Sequence, residues 1–149
     1  MTDIQLPSKG VNRPDAPTFG RGLKRGIGIN LLVTEIERAL RFQVGALGAT
    51  VDYWDDDFAI LRGYGAVWML HHDRTYHAHP MKGFLASADE RGIGAELRVY
   101  GCDPDTAEAA AERVGGTVMA GAADKPHGLR EAYLLDPDGY LWVPSVPLA

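Results

Sequence analysis

The side chains best equipped for chemistry fall in two stretches, "AELRVYG" from Ala95 and "HHDRTYHAH" from His71. In the first, strand alternation sets Glu96, Arg98 and Tyr100 on one face and Ala95, Leu97 and Val99 on the other. A carboxylate, a guanidinium and a phenol so arranged can orient a polar ligand, and Glu96 is the candidate general base. The competing structural reading is a Glu96–Arg98 ion pair that only shapes a wall. In the second stretch, His71, His72, His77 and His79 occupy nine residues. Clustered histidines can bind transition metals, but this run straddles a strand end and a linker, with no cysteine beside it and no i, i+4 pair on a helix. It reads as no dedicated metal site. Met69 and His71 share a face of the preceding strand, whereas Trp68 and Trp142 are out of phase with Met69 and Val143 and read as packing residues. Cys102, at a helix start with no assigned base, reads as a small buried cap. The acidic run "WDDDF" reads as a solvated turn.

These residues need elements to hold them. The chain has 149 residues, 46% hydrophobic and 23% charged, which suits one globular domain with a real core. A net charge of −5 and the absence of a basic run argue against nucleic acid or an anionic membrane as partner. A single cysteine excludes an intrachain disulfide framework, no signal-like apolar core opens the chain, and no apolar stretch is long enough to span a bilayer; a cytoplasmic protein is expected. Residues 1–25, rich in Pro, Gly and charge, are expected to form a coil arm. "GIGINLLV" predicts a strand, and Thr34 with Glu37 a capping box for the helix "EIERALRFQVGAL", with Gly48 as its stop. "ATVDYWDD", "FAILRGY" and "AVWMLHH" predict three strands. The second half repeats the order: "AELRVYG", then a helix capped by Asp103 with Pro104 at its first position, then "TVMAGA", "LREAYLL" and "YLWVP". "LGATV" at Leu47 and "VGGTV" at Val114 mark matching helix exits, so a βαβββ unit occurs twice. Module one spans about 26–72, a connecting segment with a short helix from about Met81 spans 73–93, and module two spans 94–148.

The repeated units, with "INLLVTEIERALRF" running into "LGATV" and "HGLREAYLLDPDGYLW" near the end, resemble the vicinal oxygen chelate superfamily of glyoxalases, bleomycin-resistance proteins and extradiol dioxygenases. The resemblance covers roughly residues 26–148. It implies an α+β fold in which two tandem βαβββ modules form one open, cup-shaped mixed sheet with helices outside and a ligand site in the cup. It also implies four cup-facing metal positions, on the first and fourth strands of each module. Here they fall on Gly28, on Met69 or His71, on Glu96, and on Val143, so at best His71 and Glu96 remain as ligands for Zn, Mn, Fe or Ni, and no cofactor is expected.

The reading that follows is a metal-free small-molecule-binding protein whose wall carries Glu96, Arg98, Tyr100, Asn30, Met69 and His71, with His127 at the rim. One alternative is a divalent-metal-dependent lyase, isomerase or dioxygenase using His71 and Glu96. Another is an assembly domain with a vestigial cup. The resemblance implies a homodimer.

Overall fold

The computed structural model describes residues 4–85 and 90–149. Module one is β1 (Asn30–Val33), a helix, β2 (Thr50–Trp54), β3 (Phe58–Gly63) and β4 (Ala66–His72), paired in the order β1-β4-β3-β2. Module two repeats this as β5 (Leu97–Tyr100), a helix, β6 (Thr117–Asp124), β7 (Leu129–Leu135) and β8 (Leu141–Pro147), in the order β5-β8-β7-β6. In each module the first strand pairs in parallel with the fourth and the other pairs are antiparallel. The mixed sheet anticipated from the sequence is therefore present as two open four-stranded halves.

The helices follow chain order: α1 (Ala16–Arg21), α2 (Ile36–Gly45), α3 (Lys82–Leu85) and α4 (Pro104–Ala111). α1 corrects the expected coil arm. Asp15 starts it by accepting from the Thr18 N–H at 3.0 Å, and Pro17 sits in its first turn. The arm is also docked: the Trp54 indole donates to the Pro7 carbonyl at 2.7 Å, and the Gly10 N–H donates to the Trp54 carbonyl at 2.8 Å. Strand β1 begins only at Asn30, two residues after Gly28, so the run from Gly26 to Ile29 lies outside the sheet.

One core joins the two modules. It takes Leu31 and Val33 from β1, Leu40 and Phe42 from α2, Trp68 and Leu70 from β4, Ala107 and Ala111 from α4, and Leu134 and Trp142 from module two. The Trp68 and Trp142 rings lie 6.2 Å apart, and the Trp68 indole donates to the buried Gln43 side chain. Both tryptophans are packing residues, as their phase requires. Leu32, Tyr53 and Ile60 are buried too, but outside that cluster, because they lie on the opposite face of the first sheet.

The expected capping box is not formed. Glu35 is the N-cap of α2 and makes no side-chain cap bond. Instead Asp138, from the turn between β7 and β8, accepts from both the N–H and the hydroxyl of Thr34 at 3.0 Å. Tyr140 from the same turn donates its hydroxyl to the Leu32 carbonyl at 2.9 Å. Arg91 also donates to that carbonyl and grips Asp73 with two bonds of 2.5 and 2.7 Å. The "DPDGY" hairpin thus fastens module two to the end of module one's first strand. A cleft of about 320 Å³ follows this seam, lined largely by Leu31, Ile93, Leu97, Tyr140 and Leu141.

Candidate functional site

The registers define what each sheet presents on the face away from the core. In the first sheet, Asn30 pairs with Met69, Leu32 with His71, Met69 with Ile60, and His71 with Phe58. Met69 and His71 therefore share that face, among apolar and aromatic neighbours. In the second, Arg98 pairs with Val143, Tyr100 with Ser145, and Ser145 with Glu131. The strand phase read from "AELRVYG" holds: Val99 and Leu97 pack with the core, and Arg98 and Tyr100 lie opposite.

The second face carries a polar cluster centred on Glu131. This carboxylate has no exposed surface. Arg98 donates to it in a short hydrogen bond, the Tyr133 hydroxyl donates at 2.9 Å, and the His127 ring nitrogen lies 3.3 Å away. Burial pushes the Glu131 carboxyl up, but the bonds from Tyr133, Arg98 and His127 outweigh it and hold it below the usual range. The hydrogen bond to Glu131, with burial, in turn raises Tyr133. Arg98 also donates to Glu96 at 2.8 Å and stacks near the Tyr100 ring, its charge reinforced by both carboxylates against the cost of burial. One guanidinium thus serves two carboxylates. Among the described residues only one oxygen of Glu96 is engaged, and its side chain is 42% exposed.

Sequence reasoning missed Glu131. The signal was present, because Glu131 and Tyr133 alternate with Ala132 and Leu134, both fully buried in the core.

The first face carries no such cluster. His71 is half-buried, its ring makes no hydrogen bond among the described residues, and burial keeps it toward its neutral form. Asn30 is exposed at the strand end. The acidic turn is exposed at Asp56 and Asp57, as expected, and it is also paired: Asp55, Asp56 and Asp57 meet Arg13, Lys9 and Arg74 at 3.4, 2.9 and 2.7 Å. Among the other histidines, His72 and His79 accept backbone N–H bonds within their own segment, so the run is used locally. Cys102 is buried with its thiol pushed up by burial, a packing residue as expected.

The internal repeat fixes the four positions that the resemblance marks for a metal. Gly28 and Glu96 each precede a helix start, Ile36 and Pro104, by eight residues, which sets them as equivalents. With that equivalence, Asn30 corresponds to Arg98, so Met69 corresponds to Val143 and His71 to Ser145. The set is then Gly28, Met69, Glu96 and Val143: one hydrogen, one thioether, one fully buried isopropyl group, and a carboxylate already on Arg98. These residues do not fit a divalent cation. Among the described residues no three His, Cys, Asp or Glu side chains converge, and His71 stands on the first sheet whereas Glu96 immediately precedes the first strand of the second.

The paired modules, their strand order and the open sheets decide the architecture. Its fold is that of the vicinal oxygen chelate proteins. A glyoxalase-related enzyme from Fulvimarina pelagi is similar with a TM-score of 0.66 at 18% identity, over 83% of this chain and 88% of that one. A glyoxalase/bleomycin resistance protein/dioxygenase from Nocardioides gives 0.62 at 22% identity, over 89% and 92%. A glyoxalase/bleomycin resistance protein/dioxygenase family enzyme from Burkholderia phytofirmans PsJN gives 0.67 at 16% identity, over 81% and 97%. No family model and no curated protein matches the sequence. No helix among the described residues is long and apolar enough to cross a membrane.

Proposed function

We propose that this chain is a metal-free small-molecule-binding protein, acting in the cytoplasm as a homodimer, whose ligand is oriented by Glu96 on the open face of the second sheet. The observation that carries this is the sharing of Arg98 between Glu96 and Glu131, which leaves a Glu96 oxygen facing solvent as an unspent acceptor. A cationic or hydrogen-bond-donating group suits it, with Arg98, Tyr100 and His127 around it. Glu131 does not suit a general base at neutral pH, since its carboxyl is held low and is fully engaged. The ligand set at the metal positions gives a metal-dependent lyase, isomerase or dioxygenase no support.

The test is a thermal-shift screen of small amines, amidines and amides, repeated on Glu96→Gln. The variant is expected to melt like the parent, because an exposed carboxylate holds no core in place, and to lose about ten- to a hundredfold in affinity for the hits. A variant that keeps full affinity for every hit assigns Glu96 to the wall and overturns the reading.

A further inference from the structure

The open face of the first sheet carries an unbroken row of rings. Tyr53 and Phe58 have centroids 5.1 Å apart, Phe58 and His71 stack at 6.1 Å with 19° between planes, His71 and Tyr76 lie at 5.6 Å, and Tyr76 and His79 at 4.6 Å. The row starts on β2, crosses β3 and β4, and ends beyond β4 on the one-turn 3-10 segment Asp73–Tyr76 and the residues after it. At its β3 step the N-terminal arm lays the Arg13 guanidinium over Phe58, 5.1 Å from the ring centroid.

We infer that this row is a binding site for a planar aromatic anion, its ring lying along Phe58 and His71 and its carboxylate or sulfonate on Arg13. Three polar groups along the row are placed to meet a ligand. Arg13 is 64% exposed, and its ion pair among the described residues is a 3.4 Å contact to Asp55. Asp55 does not depend on that contact, because the Tyr53 hydroxyl donates to it at 2.7 Å and the N–H groups of Asp57 and Phe58 at 2.8 and 3.0 Å. An incoming anion can therefore take Arg13 without leaving a buried acceptor bare. A guanidinium offers a planar fork that suits carboxylate and sulfonate oxygens. Among the described residues neither ring nitrogen of His71, kept toward its neutral form by burial, nor the Tyr76 hydroxyl makes a hydrogen bond, so each can meet a polar edge of the ligand. Aromatic faces recognise a flat ring by offset stacking at these spacings. Met69, Leu32 and Ile60 give the same face an apolar floor. The site uses none of the Glu96 cluster.

The experiment titrates 2-naphthoate and its neutral counterpart 2-naphthylmethanol into the full chain, followed by NMR at the His71 and Tyr76 rings. The parent is expected to bind the anion about tenfold more tightly than the alcohol. Arg13→Gln should erase that preference while sparing the alcohol, Arg13→Lys should restore part of it, and His71→Ala should weaken both. The arm's other anchors, Pro7 and Gly10 on Trp54, keep it in place in the Arg13 variants. Equal binding of the two probes by the parent, no saturation with either, or an anion preference that survives Arg13→Gln overturns the site. So does naphthoate binding lost in Glu96→Gln in place of Arg13→Gln, which would assign the ligand to the second sheet and leave the proposed function standing.

Discussion

Asp136 and Glu131 are both buried carboxylates, yet their surroundings send them in opposite directions. Glu131 has a guanidinium against it and ionises readily. Asp136 has only neutral donors, the Trp142 indole at 2.9 Å and the N–H groups of Asp138 and Tyr140 at 3.0 Å; burial, with the nearby Asp138 carboxylate, pushes it up to about 6. The folded state therefore holds the Asp136 proton more tightly than the unfolded chain does. Its contribution to stability is complete below the ordinary value of 3.8 and disappears as pH rises through about 6. Two units correspond to about 3 kcal/mol. Urea unfolding between pH 4 and 7 should show the parent losing stability relative to Asp136→Asn by that order as pH rises; parallel curves would mean that Asp136 titrates as it does in the unfolded chain. Glu131 works the other way, stabilising above the usual carboxylate range and failing in acid as it protonates.

The matching helix exits show how one element can be repeated and then adjusted. Gly48 and Gly115 both take positive φ, 70° and 86°, in the exits from the two helices: Gly48 in the turn after α2, Gly115 at the end of the 3-10 turn Glu112–Val114 that follows α4. The next position is Ala49 in module one and Gly116 in module two. A Cβ at Gly116 would stand 2.5 Å from the Phe42 ring and 2.9 Å from the Leu135 carbonyl, so the glycine is what lets α2 pack against module two. We expect Gly116→Ala to cost about 1–3 kcal/mol by denaturant unfolding, as overpacking does, and Gly116→Ala with Phe42→Leu to recover part of that. The start of α2 depends equally on the other module. Asp138→Ala removes the acceptor for the Thr34 N–H and hydroxyl, and should cost about 1–2 kcal/mol while speeding hydrogen exchange at the Thr34 amide. This bond was hidden in the sequence. Thr34 and Glu37 have the local spacing of a capping box, and nothing near them in the chain announces a partner 104 residues away. Strand phase, helix caps such as Asp103, and turn glycines are short-range and were legible; the arm's helix was obscured by the surrounding Pro, Gly and charge.

At the scale of the molecule the two modules share a topology and differ in what they display. Registers equate Phe58 with Glu131 and Ile60 with Tyr133, so identical backbone positions carry rings and aliphatic groups on one sheet and an ion-pair cluster on the other. The alternation in "AELRVYG" made Glu96, Arg98 and Tyr100 readable in advance, whereas the centre of their cluster, Glu131, comes from a strand 33 residues beyond Arg98 and appears only once β5, β8 and β7 are paired. The seam adds an order of events to this arrangement. Asp138 and Tyr140, which complete the end of β1 and the entry to α2, come 104 and 108 residues after the Thr34 and Leu32 they hold, so during synthesis the first module leaves the ribosome before its fastenings exist. A growing chain halted after Leu135 should hold Leu32 and Thr34 without those partners, and its first module should be cut by a protease far faster than that of the finished protein. Equal resistance in the halted and finished chains would show that the first module closes by itself. Until the last strand is made, the half of the protein that is translated first is the half that waits.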